Sequence, residues 1–110
     1  MKNKVQLDGK IYPFAITYNT MIALEENHGI EDIAEAFASN SKGKFKKILA
    51  IVYEGICTGC KREGQKFDLS FEAFKEIDIR QSDLVGINSA IINCMIPDES
   101  PNAKAPKVKN

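Results

Sequence analysis

The sequence predicts an α+β chain, predominantly α, in which an N-terminal β-hairpin packs on a bundle of about five helices. Three observations lead there. Residues Val5 to Leu7 and Ile11 to Ile16 alternate in polarity on either side of Asp8-Gly9, a pair suited to the positive φ angles of a two-residue hairpin turn. From Tyr18 onward, apolar residues recur at helical spacing in segments punctuated by Gly, Ser and Pro. The chain of 110 residues, 44% hydrophobic and 27% charged, sustains one core but not two. A single domain over residues 1–97 is therefore expected, followed by a disordered tail over 98–110.

In the hairpin, residues 3–16, a two-residue turn pairs Leu7 with Lys10, Val5 with Tyr12 and Asn3 with Phe14. Val5, Leu7, Tyr12 and Phe14 then share a face with Ile16, and Lys4, Gln6 and Ile11 take the other. Pro13 has no N–H to donate, which places its strand at an edge. Such a hairpin is marginal by itself, so its apolar face must lie on helices.

Thr17 is the expected N-cap of a helix over about 18–28, with Gly29 as its left-handed stop. A second helix is expected over 30–38 from Ile30, Ile33, Ala34 and Phe37. The longest follows over 44–62, where Phe45, Ile48, Leu49, Val52, Ile56 and Cys60 draw one stripe. Ser70 caps a short helix over 70–77. Asp78 and Gln81 fit a capping box for the last one, over 79–96, with Leu84, Ile87, Ile91, Cys94 and Met95 on its stripe and Pro97 at its end. The remainder, with its prolines and lysines, has too little apolar surface to offset its ordering entropy.

Fifteen basic residues balance fifteen acidic ones, so the basic excess typical of nucleic-acid binders is absent. No run is long and apolar enough to span a membrane, and "MKNKVQLDGK" lacks the apolar core of a signal peptide. A cytoplasm is the expected setting, where three cysteines are free thiols.

The stretch "ICTGC", Ile56 to Cys60, invites a metal or redox reading. A structural zinc site needs about four Cys or His ligands. Beyond Cys57 and Cys60 the chain offers Cys94, on an apolar stripe, and His28. The pair also falls late in a helix, where the N-terminal dipole cannot lower a thiol pKa. His28, just before Gly29, suits the C-terminal dipole. Glu25-Glu26 and Glu31-Asp32 fit exposed helix faces, and the basic run Lys42 to Lys47 fits a solvated helix start. These residues point to no metal, no cofactor and no catalytic set, hence to a protein that is not an enzyme.

The segment "VQLDGKIYPFAITYNTMIALEENHGIEDIAEAF" resembles the tail assembly chaperones of long-tailed phages. It carries a short strand, a turn, a K-x-Y-P strand, a T-x-x-x-M-x-x-L-E-E helix closed by Gly, and an "EDI" helix. Phe45 to Cys60 looks like the next helix of that family, and "FDLSFEAFKEIDI" is similar to its acidic helix. The resemblance implies a mostly helical protein, made in a phage-infected or lysogenic bacterium and absent from the mature virion. Its partners would be the tape measure protein and the tail tube subunit, kept soluble until assembly, with homo-oligomerisation left open. In many members a ribosomal frameshift extends a minority of copies, and this sequence would be the short form. Ala105 to Asn110 admit codons containing slippery heptamers.

A chaperone of this kind needs apolar groups at its surface. Tyr18, Met21, Ile22 and Leu24 on the first helix and Phe14 on the edge strand are the candidate partner-binding residues, with the hairpin-to-helix core as their competing role. The alternatives are a small metal-binding or redox module using Cys57 and Cys60, and a structural phage adaptor that stays in the particle.

Overall fold

In the computed structural model, which describes residues 3–38 and 42–95, the chain turns back on itself at Asp8 and Gly9. Both have positive φ, 50° and 83°, as a two-residue type I′ turn requires. Strands β1 (Lys4–Leu7) and β2 (Lys10–Pro13) pair antiparallel, Leu7 with Lys10 and Val5 with Tyr12, as expected. The Phe14 N–H donates to the Asn3 carbonyl at 3.0 Å, carrying the pairing one step beyond the strands. Val5, Leu7 and Phe14 are buried, whereas Ile11 on the opposite face is exposed.

Helix α1 (Tyr18–His28) starts at Thr17, whose N–H donates to Thr20 Oγ1 at 2.9 Å. It ends at Gly29, φ 69°, where the N–H groups of Gly29 and Ile30 close on the carbonyls of Glu25 and Leu24. Helix α2 (Lys44–Glu63) is the axis of the fold. It packs against α1, β2, the 3₁₀ helix Ile33–Phe37 and helix α3 (Phe71–Phe74). Helix α4 (Gln81–Met95) lies along β1 instead. Its first turn reaches the hairpin tip, where Asp83 accepts from the Asp8 N–H at 3.4 Å and Arg80 pairs with the Asp8 carboxylate at 3.2 Å. Its last turn reaches the hairpin base, where the Asn3 amide lies 3.5 Å from Cys94 Sγ. Among the described residues, no helix is long and apolar enough to cross a membrane.

The expected class holds, α+β and mainly α, but among the described residues four α-helices and a 3₁₀ helix replace the bundle of about five helices. The 30–38 segment departs because Ile30 is spent on closing α1 and Asp32 caps at Ala34, 3.0 Å, leaving five residues that wind as 3₁₀. The 70–77 segment holds one α-helical turn, capped by Ser70 as expected, before loosening at Lys75. The last helix begins at Gln81 rather than 79, since Asp83, not the Asp78–Gln81 pair, accepts from the Arg80 N–H at 3.1 Å. Phe45 leaves the expected stripe and is exposed, because α2 buries a broader face through Ala50, Ile51, Gly55 and Gly59. The expected tail, 98–110, lies outside the described residues.

Gly55 and Gly59 form a notch in α2. The Phe14 ring lies on Gly55, where any Cβ would overlap it, and the Pro13–Phe14 peptide crosses Gly59 just as closely. The Ala15 N–H then donates to the Gly55 carbonyl at 3.1 Å, joining the chain after β2 to the helix backbone. Overpacking a filled site costs on the order of 1–3 kcal/mol. Gly55→Ala should therefore lower stability to urea by about 2 kcal/mol, and by much less in a Phe14→Ala background, where the ring is gone. An equal loss in both backgrounds would show that the notch is not what the ring fills.

Candidate functional site

The residues singled out by sequence fall into separate places. Two of the five candidate partner-binding residues leave the surface: Phe14 is 2% exposed, seated on Gly55, and Leu24 is 1% exposed in the α1–α2 core. Phe14 also lies just past the end of β2 rather than within the strand. Tyr18 and Met21 stand outward, 76% and 45% exposed, one turn apart at the start of α1, and Ile22 is half-buried beside them. Thr17 sets their position by capping the helix, and the next turn carries exposed Glu25 and Glu26. This places an exposed apolar patch beside an acidic one on α1.

The CTGC stretch lies in α2, and its inner two residues carry the structure. Gly59 takes the Pro13–Phe14 backbone. Thr58 Oγ1 lies 2.6 Å from the buried Thr20 Oγ1 and donates to the Glu54 carbonyl at 3.0 Å, so a hydroxyl inside the α1–α2 contact is satisfied. Cys60 is buried, and Cys57 and Cys94 are half-buried. Cys57 lies beside Tyr53 and Glu54. Burial first, then the Glu54 charge, pushes its thiol up to about 11. Burial also raises the thiols of Cys60 and Cys94. The thiolate is both the nucleophile and the metal ligand, so each environment opposes the reactive form. Among the described residues, no three His, Cys, Asp or Glu side chains gather as a metal site would require.

His28 is at the end of α1, as expected, but its chief contact was not foreseen. Nε2 lies 2.9 Å from Glu54 Oε2 with both side chains nearly buried, and Phe71 packs edge-on against the imidazole at 4.7 Å between centroids. The Asn27 amide reaches the same Glu54 oxygen at 3.5 Å. Glu54 had no sequence signal, because its partner is one helix away and the α2 periodicity places it beside an apolar stripe. Tyr53, one residue earlier, sits among Phe67, Phe71 and Phe74 and donates to the Leu69 carbonyl at 2.7 Å. Its hydroxyl is raised to about 12, mainly by burial. The pair Glu31-Asp32 serves locally, with Asp32 capping the 3₁₀ helix.

Further apolar surface lies at positions expected in the core. Phe45 is 77% exposed at the mouth of a groove of about 370 Å³ walled by Leu49, Ile77 and Leu84. A second groove, about 560 Å³ and almost wholly apolar, runs between the 3₁₀ helix and the end of α4. The available signal for Phe45 was its setting in Lys44–Lys47, a charged first turn. For α4 the signal was a scarcity of charge.

The chain matches no protein-family model, and no curated protein or solved structure is detectably similar to it.

The thiol environments give a pH prediction. A two-unit rise leaves roughly a hundredfold less Cys57 thiolate at pH 8 than an ordinary thiol would show. Iodoacetamide should label Cys57 slowly in the native chain and rapidly after unfolding in urea. A thiol whose folded pKa lies above its unfolded value stabilises the fold fully below the unfolded value. That stability is lost as pH rises through the folded one, so it should fall between about pH 9 and 11. Equal labelling of native and unfolded protein at pH 8 would contradict these environments.

Proposed function

We propose that this chain is a tail assembly chaperone of a long-tailed phage or prophage. It binds the tape measure protein, the tail tube subunit or both and keeps them soluble until tail assembly. The observation that carries the reading is the resemblance of residues 5–37, together with the later helices, to that family. Three features of the chain support it. Its outward apolar side chains, Tyr18 and Met21 first among them, suit contact with a helical or unpolymerised partner. Its thiols are set against reactivity. Its balanced charge does not favour nucleic acid. The proposed action is binding without a catalytic step, in the host cytoplasm, by a protein that does not enter the finished virion.

In this reading the α1 face is the working surface and the cysteines are not. Co-expression of the chain with the tape measure protein of the same phage or prophage should raise the soluble fraction of that protein. Tyr18→Glu combined with Met21→Glu should abolish the gain, because two buried charges would oppose an apolar contact. Cys57→Ser with Cys60→Ser should preserve it. The reverse pattern, loss with the serines and retention with the glutamates, would overturn the proposal in favour of a metal or redox module.

A further inference from the structure

Charge is segregated along this chain, and it sits where the chain's own helices oppose it. Between Lys10 and Lys42 the sequence holds five carboxylates and no Lys or Arg, whereas Lys42 to Arg62 hold six Lys or Arg and one carboxylate. In the fold, the last turn of α1 carries exposed Glu25 and Glu26, and exposed Glu31 and Asp32 follow it. A helix C-terminus is the negative end of the helix dipole, so these carboxylates deepen a field that a cation would relieve.

The first turn of α2 makes the opposite mismatch. It holds Lys44, Lys46 and Lys47 with no acidic residue, behind Gly43, which supplies no side-chain cap. The dipole is positive there, and the lysines raise the potential further. Pairing within the chain does not neutralise either end: among the described residues, no ion pair involves Glu25, Glu26, Glu31, Lys44 or Lys46.

Each charged end also carries exposed apolar surface. Tyr18, Met21 and Glu25 follow i, i+3, i+7 spacing, so they share one side of α1, and all three are exposed. On α2, Phe45 stands between Lys44 and Lys46 with 77% of its surface in solvent. The two patches are therefore both apolar and opposite in charge, the combination that gives an association surface its partner and its register. One chain cannot bring its own pair together. Thr20 of α1 lies against Thr58, which is thirteen residues along α2 from Phe45, a rise of about 20 Å. The complement of each patch is thus supplied by another copy.

We infer that a second copy of this chain covers the α1 face, its Phe45 on Tyr18 and Met21 and its Lys44 and Lys46 toward Glu25 and Glu26. The contact joins unlike surfaces of the two copies. It needs only this chain, so its failure leaves the chaperone reading, which is tested with a second protein, standing or falling separately.

Sedimentation velocity of the full chain over the micromolar range, at low and at high salt, tests it. The wild type should self-associate, more weakly at high salt. Glu25→Lys with Glu26→Lys, and separately Lys44→Glu with Lys46→Glu, should each weaken association roughly tenfold or more. Each pair should also raise the melting temperature of the chain, because each relieves the dipole of its own helix. An equimolar mixture of the two variants should associate again, since the intact acidic face of one meets the intact basic end of the other. A wild type that stays monomeric throughout the range would overturn the inference, as would either variant associating unchanged or a mixture that stays apart. Lost association together with a lower melting temperature would trace the effect to the fold and overturn it as well.

Discussion

The fold depends on one close approach, the Pro13–Phe14 segment lying in the glycine notch of α2. A two-stranded hairpin cannot hold itself in water and must surrender its apolar face to a partner. Here the partner is a helix stripped of side chains at two positions one turn apart, so that an aromatic ring and a peptide unit rest on the helix backbone itself. The hydrogen bond from Ala15 to the Gly55 carbonyl makes the contact directional as well as apolar. Once β2 is fixed on α2, the other side of the molecule follows. Helix α4 is bracketed against β1 by Asp83 and Arg80 at the hairpin tip and by Cys94 near its base.

A polar layer sets the register of α1 against α2. The apolar stripe of α1 is thin, with Leu24 its only fully buried large residue, so apolar packing leaves the helix some freedom to slide. The hydroxyls of Thr20 and Thr58 and the Glu54 carboxylate with His28 and Asn27 remove that freedom, because each buried group is satisfied in one alignment. A buried acceptor left without its donor costs on the order of 1–3 kcal/mol, several times a typical surface pair. The pattern "ICTGC" reads differently in this light. Its value lies in the threonine and the glycine, and the flanking cysteines behave as small apolar side chains.

Local features were legible in the sequence because their causes are local. The turn at Asp8-Gly9, the pairing of Val5 with Tyr12, the cap at Thr17 and the stop at Gly29 follow from residues within a few positions of one another. Features set by distant segments were not legible. The pairing of Glu54 with His28 spans two helices, and the roles of Gly55 and Gly59 depend on a segment some forty residues earlier in the chain. Periodicity counted Phe45 into the core because it marks apolar residues without showing which side of the helix is covered. The same limit misplaced Phe14 and Leu24, whose apolar character serves the core as readily as a binding surface. Tyr18 and Met21 are at the surface because they lie on a different side of α1 from Thr20 and Leu24, which are buried, Thr20 against Thr58 of α2.

The surface of the molecule divides by chemistry. Helix α1 presents Tyr18 and Met21 beside carboxylates, whereas α4 presents Val85 and Ile92 with no charge at all. The two surfaces therefore differ in chemistry, one apolar beside carboxylates and one apolar without charge. Hydrogen exchange of the chain, alone and mixed with the tape measure protein proposed as its partner, tests the first face most directly. Protection gained in the peptide spanning Tyr18 to Leu24, with Cys57 to Cys60 unchanged, is the predicted result. Protection gained around Cys57 and Cys60 while Tyr18 to Leu24 stays as in the free chain would contradict it.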